Sequence, residues 1–264
     1  MGQNALISRV GGVISADIAV PEHDREVGFY SRVLTTGEQP LWRPDLMNNQ
    51  GQPIIGLGER TPEYADLPLQ WMPHIQVKDV AESVRRALEL GGTELMHGKN
   101  SDGESLWAGL ADPGGAGFGI IPVVPPEAIT PPDGGAPADA PVGTIAWLDL
   151  TVPDADPIRD FYRHVVGWSV ENVEMKDGDE AYADYQMMGG DGQAAAGVCH
   201  ARGMNLGLPP TWLLYLPVGD LAESLRRVKD EGGTVLKEAR GADGKIAYAA
   251  VQDPVGVSFA LVPG

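Results

Sequence analysis

The chain has 264 residues, enough for two domains that each bury a core. Asp and Glu outnumber Lys and Arg by 37 to 19, and the resulting formal charge of −18 repels nucleic acid and anionic membrane surfaces. No apolar run reaches the roughly 18 residues of a membrane helix, Met1–Arg9 shows no basic segment followed by an apolar core, and a single cysteine, Cys199, excludes an internal disulfide, so the expected setting is the cytoplasm.

Alternation and helical spacing predict a strand over 12–20, a helix over 23–34 and short strands near 40–46 and 53–58. A strand over 71–77, a helix over 79–90 and strands over 93–97, 106–111 and 116–122 follow. Residues 125–141 are too rich in Pro and Gly for helix or sheet and read as a linker. Beyond it come a strand over 145–152 and a helix over 155–166 capped by Asp154. Strands near 182–188 and 193–199 are joined by the hairpin signal Gly189-Gly-Asp-Gly192. A strand over 212–218, a helix opened by Asp220 and stopped by Gly232-Gly233, and strands near 234–237, 246–251 and 256–262 complete the chain.

The chain repeats itself. Val20, Phe29 and Tyr30 recur 132 positions later as Val152, Phe161 and Tyr162. Asp79-Val-Ala-Glu-Ser-Val-Arg-Arg86 recurs 141 positions later as Asp220-Leu-Ala-Glu-Ser-Leu-Arg-Arg227, and Asp112-Pro113 as Asp253-Pro254. The difference in offset reads as loop inserted in the second half. The expected fold is α+β: four βαβββ modules, two in a domain over 1–124 and two in a domain over 142–264, separated by the linker.

The strand Ile145–Val152 leading into Asp160-Phe161-Tyr-Arg-His-Val-Val-Gly-Trp168 resembles the opening of a vicinal-oxygen-chelate module, the superfamily of glyoxalases, bleomycin-resistance proteins and extradiol dioxygenases. That resemblance implies paired modules whose sheets curl into a ligand-holding cup with helices outside. In metal enzymes of the family a ligand, usually His, stands five residues before the closing Val; here Trp147 and Ser15 stand there. The other positions implied as ligands are Gly56, Met72 and Gly119 in the first half and Gly197, Leu213 and Ala260 in the second. None of these side chains suits a hard or borderline divalent ion. The expectation is a protein with no metal and no cofactor.

Alternation assigns the cup faces. Apolar Ala146, Leu148, Leu150 and Val152 pack under helices, leaving Trp147, Asp149 and Thr151; the first half leaves Ser15, Asp17 and Ala19. Later strands leave Met72, His74 and Gln76, and Leu213, Tyr215 and Pro217. Asp149 with Tyr215, and Asp17 with His74, are the candidate acid–base pairs. Trp147, Thr151, Leu213, Met187, Met72, Gln76 and Trp42 are the candidate walls, since aromatic and Met surfaces suit a flat apolar molecule. The tryptophans are expected mostly at strand starts or on cup faces. His23, His97, His164 and His200 are expected on the surface, and Cys199, facing away from His200, as a small core residue.

The first functional reading is a metal-independent binder of a small hydrophobic or aromatic molecule, such as a drug, natural product or precursor, with a resistance or biosynthetic-accessory role. The alternative is a metal-free lyase, isomerase, hydrolase or cyclase acting on a carbonyl or epoxide compound; a metal-dependent glyoxalase or dioxygenase stands third. Whether the chain is an enzyme stays open. The expected partner is a small molecule, and the chain is a monomer or homodimer.

Overall fold

The computed structural model describes residues 8–125 and 141–264; most of the expected linker, 126–140, lies outside the described residues. The described strands form two mixed sheets. The chain folds as two compact units, and each takes one module from each half of the sequence.

Unit 1 comprises, of the described residues, 8–14, 72–125 and 148–212. Its first module contains β3 (Met72–Val77), α2 (Val80–Glu89), β4 (Thr93–Lys99), β5 (Ser105–Ala111) and β6 (Gly117–Pro122), with β3 parallel to β6 and β6-β5-β4 antiparallel. Its second contains β7 (Trp147–Val152), α3 (Ala155–Val165), β8 (Ser169–Asp177), β9 (Glu180–Met188) and β10 (Ala194–His200). Here β7 runs parallel to β10, and β10-β9-β8 are antiparallel. Unit 2 comprises 15–71, 141–147 and 213–264 of the described residues. It holds most of β1 (Val13–Val20), α1 (His23–Leu34) and β2 (Ile55–Glu59), together with β11 (Trp212–Val218), α4 (Leu221–Asp230), β12 (Thr234–Arg240), β13 (Ile246–Gln252) and β14 (Ser258–Pro263).

The repeated motif of α2 and α4 has a definite job. Asp79 and Asp220 cap their helices, accepting from the backbone N–H of Glu82 (3.0 Å) and Glu223 (2.9 Å). Ser83 donates to the Val165 carbonyl at the end of α3, and Ser224 to the Val33 carbonyl in the last turn of α1, both at 2.8 Å. Arg86 donates to the His164 carbonyl (3.1 Å) and Arg227 to that of Arg32 (2.8 Å). Each such helix therefore satisfies carbonyls left open at the C-terminus of a helix from the other half. Glu82 and Glu223 pair with the arginines of their own helix.

The same reciprocity organises both cores. In unit 1 the Trp212 indole N–H donates to the Tyr162 hydroxyl (2.9 Å), which donates to Asp112 (3.2 Å). In unit 2 Trp71 donates to Tyr30 (3.0 Å), which donates to Asp253 (3.0 Å). Each Asp also accepts the backbone N–H groups that close its own turn. Phe118, Phe161 and Trp168 complete one aromatic cluster, and Phe29 and Phe259 the other. Burial pushes both tyrosine hydroxyls well above their ordinary range, so they remain donors.

Three expectations change. No strand forms over 40–46: Trp42 makes an isolated bridge to Asn48, whose buried amide oxygen accepts from the Gln50 and Gln52 N–H groups. The insertion in the second half is not loop but mostly β8, an outer strand exposed along most of its length, so it carries no alternating signature. Most tryptophans are core: Trp42, Trp71, Trp168 and Trp212 are buried, and their indole N–H groups are taken up by Pro217, Tyr30, Gly11 and Tyr162.

Candidate functional site

In unit 1 the open face of β7-β10-β9-β8 is built by register. Asp149 lies opposite Gly197, Gly197 opposite Gln186, and Gln186 opposite Glu171, one residue per strand with a bare backbone at β10. The next row carries Thr151 opposite Cys199, and Asp184 opposite Val173. Gly197 is required by the first row, because a Cβ there would lie 2.2 Å from Asp149 Oδ1 and 3.5 Å from the Cys199 sulfur. Thr151 is 1 % exposed, and its buried hydroxyl has no hydrogen-bond partner among the described residues. Burial, then the charges of Asp149 and Asp184, push the Cys199 thiol far up, so it stays protonated and is a poor nucleophile. Cys199 thus shares the face of Asp149 rather than simply filling the core.

Asp184 is almost wholly buried and holds the end of β10. It accepts from the His200 backbone N–H (2.7 Å) and from Asn205 (2.9 Å), with His200 Nδ1 at 3.2 Å. The His200 ring Nε2 reaches to 4.0 Å from Asp156, which also receives the Tyr185 hydroxyl. Asp154, Asp156 and His200 form a small cluster of ligand-type atoms at the start of α3, away from the family's ligand positions; both carboxylates are exposed. His200 itself is half-buried, not a free surface residue.

Elsewhere in unit 1, His74 lies opposite Gly119, and a Cβ on Gly119 would sit 2.6 Å from the imidazole Cδ2. Met72 is half-buried, with its methyl 3.5 Å from where a Gly109 Cβ would stand. Gln76 is buried, donating to the Gly12 carbonyl (3.3 Å) and accepting from the Val124 N–H (2.9 Å). Met187 is fully buried on a strand that packs on α3. These two are structural, not walls of an open cup.

In unit 2 the pattern of Asp149 and Gly197 recurs: Asp17 lies opposite Gly56, and a Gly56 Cβ would be 2.3 Å from Asp17 Oδ1. Asp17 is exposed, whereas Asp149 is half-buried. Tyr215 is buried opposite Ala260, its ring 5.2 Å from that of Tyr248. Leu213 is fully buried, Trp42 belongs to the core, and Trp147 is half-buried. His74 and Asp149 fall in unit 1, Asp17 and Tyr215 in unit 2. Gln186, Glu171, Asp184 and Cys199 were not among the expected site residues; strand alternation finds them once β8 and β9 are known to pair. A separate surface depression of about 500 Å³ beside the start of α1 is lined by Glu22, His23, Arg25, Glu59 and Arg60 and includes no expected site residue.

The family's metal positions fit no metal here. Gly56, Gly119, Gly197, Leu213 and Ala260 offer no donor side chain, Ser15, Met72 and Trp147 are weak ligands or none, and neighbouring Asp17, Asp149 and His74 fill the space a longer side chain at the three glycines needs.

Two family models match, the Glyoxalase-like domain over residues 14–121 and the Glyoxalase/Bleomycin resistance protein/Dioxygenase superfamily over 144–261. CFP32 of Mycobacterium tuberculosis, whose name assigns it provisionally to the glyoxylases, is 26% identical over 196 residues, 74% of this chain and 70% of that protein. Anthracycline biosynthesis protein DnrV of Streptomyces peucetius is 24% identical over 204 residues, 74% of this chain and 66% of that protein. Among solved structures, a triple mutant of 4-hydroxymandelate synthase from Streptomyces coelicolor aligns with TM-score 0.55 at 12% identity, over 97% of this chain and 93% of that one. Homoprotocatechuate 2,3-dioxygenase from Arthrobacter globiformis aligns with TM-score 0.55 at 14% identity, over 97% and 80%. At these identities the structural likenesses speak to the fold alone. No helix of the described residues is long and apolar enough to cross a membrane.

Proposed function

We propose, for a chain that belongs to the Glyoxalase/Bleomycin resistance protein/Dioxygenase superfamily, a function of binding without metal: it holds a small hydrophobic or aromatic molecule in a biosynthetic-accessory or resistance role. The observation that carries this reading is the pair of glycines at ligand positions, Gly56 and Gly197, each overlaid by the carboxylate of Asp17 or Asp149. A position that can bear no side chain supplies no ligand, and its neighbour leaves an acidic, hydrogen-bonding floor instead. Gln186, across Gly197 from Asp149, and half-buried Trp147 on the strand of Asp149 add an amide and an aromatic surface. The similarity to DnrV, named for anthracycline biosynthesis, supports a place in the chemistry of natural products.

Titration of tryptophan fluorescence with a panel of polycyclic aromatic compounds, with and without chelator, tests the reading. Saturable one-to-one binding that ignores the chelator is expected. Binding that disappears on chelation and returns with iron, zinc or manganese overturns it.

A further inference from the structure

We infer that the β4–β5 hairpin of unit 1 carries an active site separate from the proposed ligand-binding face, a Ser–His–Glu hydrogen-bonded chain that transfers acyl groups from small apolar esters to water. Ser105 Oγ lies 2.8 Å from His97 Nε2, and His97 Nδ1 lies 3.1 Å from Glu94 Oε2. A carboxylate only accepts, so Nδ1 carries the ring proton toward Glu94 and Nε2 accepts the Ser105 hydroxyl proton. This is the order of nucleophile, base and orienting acid that activates a serine. His97 was expected on the surface, yet its side chain is only 11% exposed, which limits competition from water for the ring.

The fold does not require this chain. β12 and β13 repeat β4 and β5 at the same offset of 141, with the pairing shifts at matching places. There Glu94, His97 and Ser105 are replaced by Val235, Glu238 and Ile246. That hairpin instead carries a Glu238–Arg240 pair (2.9 Å) and forms the same ladder. Three polar residues placed together in one copy and absent from the other are not the cost of making a hairpin.

The surroundings indicate the substrate. Leu106 and Trp107, 47% and 42% exposed, follow Ser105 along β5, so exposed apolar side chains stand within two residues of the hydroxyl. Lys99 stands directly opposite Ser105 in the register, and cross-strand Cβ atoms lie about 5 Å apart, within reach of a developing oxyanion. An uncharged ester of an aliphatic or aryl acid matches this setting.

In the acylation step the Ser105 oxygen bonds to the ester carbon while its proton passes to His97 Nε2. The carbonyl–alkoxy bond breaks, and the leaving oxygen takes that proton. Water then attacks the acyl-serine, gives a proton to His97, and releases the acid as Ser105 regains its hydrogen. Water is the only co-reactant. The site's residues lie on β4 and β5 rather than on β7, β9 and β10, so loss of aromatic-ligand binding leaves ester hydrolysis intact and the reverse.

Two measurements on the whole chain test this. The wild-type protein treated with a fluorophosphonate probe and mapped by mass spectrometry is expected to carry the label on Ser105. Hydrolysis of p-nitrophenyl butyrate is expected to fall to the buffer rate in Ser105→Ala and by about 100-fold or more in His97→Gln. Glu94→Gln is expected to lower kcat with KM unchanged and Glu94→Asp to restore much of it, while Glu238→Gln in the other hairpin changes nothing. Absence of label from Ser105, or equal hydrolysis by wild type and Ser105→Ala, overturns the inference.

Discussion

Glu26 sits in the core of unit 2, fully buried, with neither carboxyl oxygen given an N–H or O–H donor among the described residues. Burial, then the charge of Asp253, raises its pKa from 4.5 to about 8; Asp253, itself raised by burial, is the carboxyl it faces, with Arg25 acting against the shift and Glu22 with it. Glu26 therefore keeps a proton in the folded chain at neutral pH and shares it with Asp253. The unfolded chain releases that proton near 4.5. Between about 4.5 and 8 the folded state thus binds more protons than the unfolded state, and stability falls as pH rises. One retained proton gives a slope of at most about 1.4 kcal/mol per pH unit. The repeat supplies the substitution: Ile158 occupies the position 132 residues on, with its Cδ1 3.8 Å from where a Cβ on Gly114 would lie in the Asp112 turn. Glu26→Ile is expected to raise the melting temperature at pH 8 and to change it much less at pH 5. At about 2–4 °C per kcal/mol for a chain of this size, the contrast is easily read by thermal melts followed by tryptophan fluorescence. Wild type and Glu26→Ile melts with parallel pH dependences refute the shared proton.

Two further outcomes are expected. Tyr162→Phe leaves the Trp212 N–H and one Asp112 oxygen buried and unmatched and is expected to cost about 2–3 kcal/mol in urea denaturation, with Tyr30→Phe costing a similar amount in the other unit; a loss below about 0.5 kcal/mol in both removes the relay from the account of stability. Gly197→Ala puts a methyl 2.2 Å from the Asp149 carboxylate, so it is expected to weaken aromatic-ligand binding while Asp149→Ala in the same chain relieves the clash; fluorescence titration that shows no loss in Gly197→Ala separates Asp149 from the binding floor.

Much of the fold was legible because the duplication made its signals visible twice. The caps at Asp154 and Asp220 and the apolar alternation of β1 and β7 are local, and each was readable from a few neighbouring residues. β8 was not, since an outer strand that is exposed along most of its length has no buried face to mark it. The tryptophans misled for a related reason. Position on a strand says which face a side chain leaves from, but Trp71 and Trp212 were placed in the core by hydroxyl groups some 40 to 50 residues away. Of the site, Asp17 and Asp149 stood out through alternation, while their supporting partners Gly56 and Gly197 mattered through close approach, which sequence does not display. Glu94, His97 and Ser105 were separated by a turn and a pairing irregularity, so simple spacing did not join them.

The crossed bonding of Tyr30 to Asp253 and of Tyr162 to Asp112 has an implication for how such a chain arose and how it assembles. A lone half carries a tyrosine and an aspartate that belong to different cores, so it can finish neither by itself. Two identical copies could complete each other by trading these groups, at a cost set by their concentration. Joining the copies end to end makes that exchange intramolecular, independent of dilution. The two halves, made as separate polypeptides and mixed, should then recombine into one folded pair.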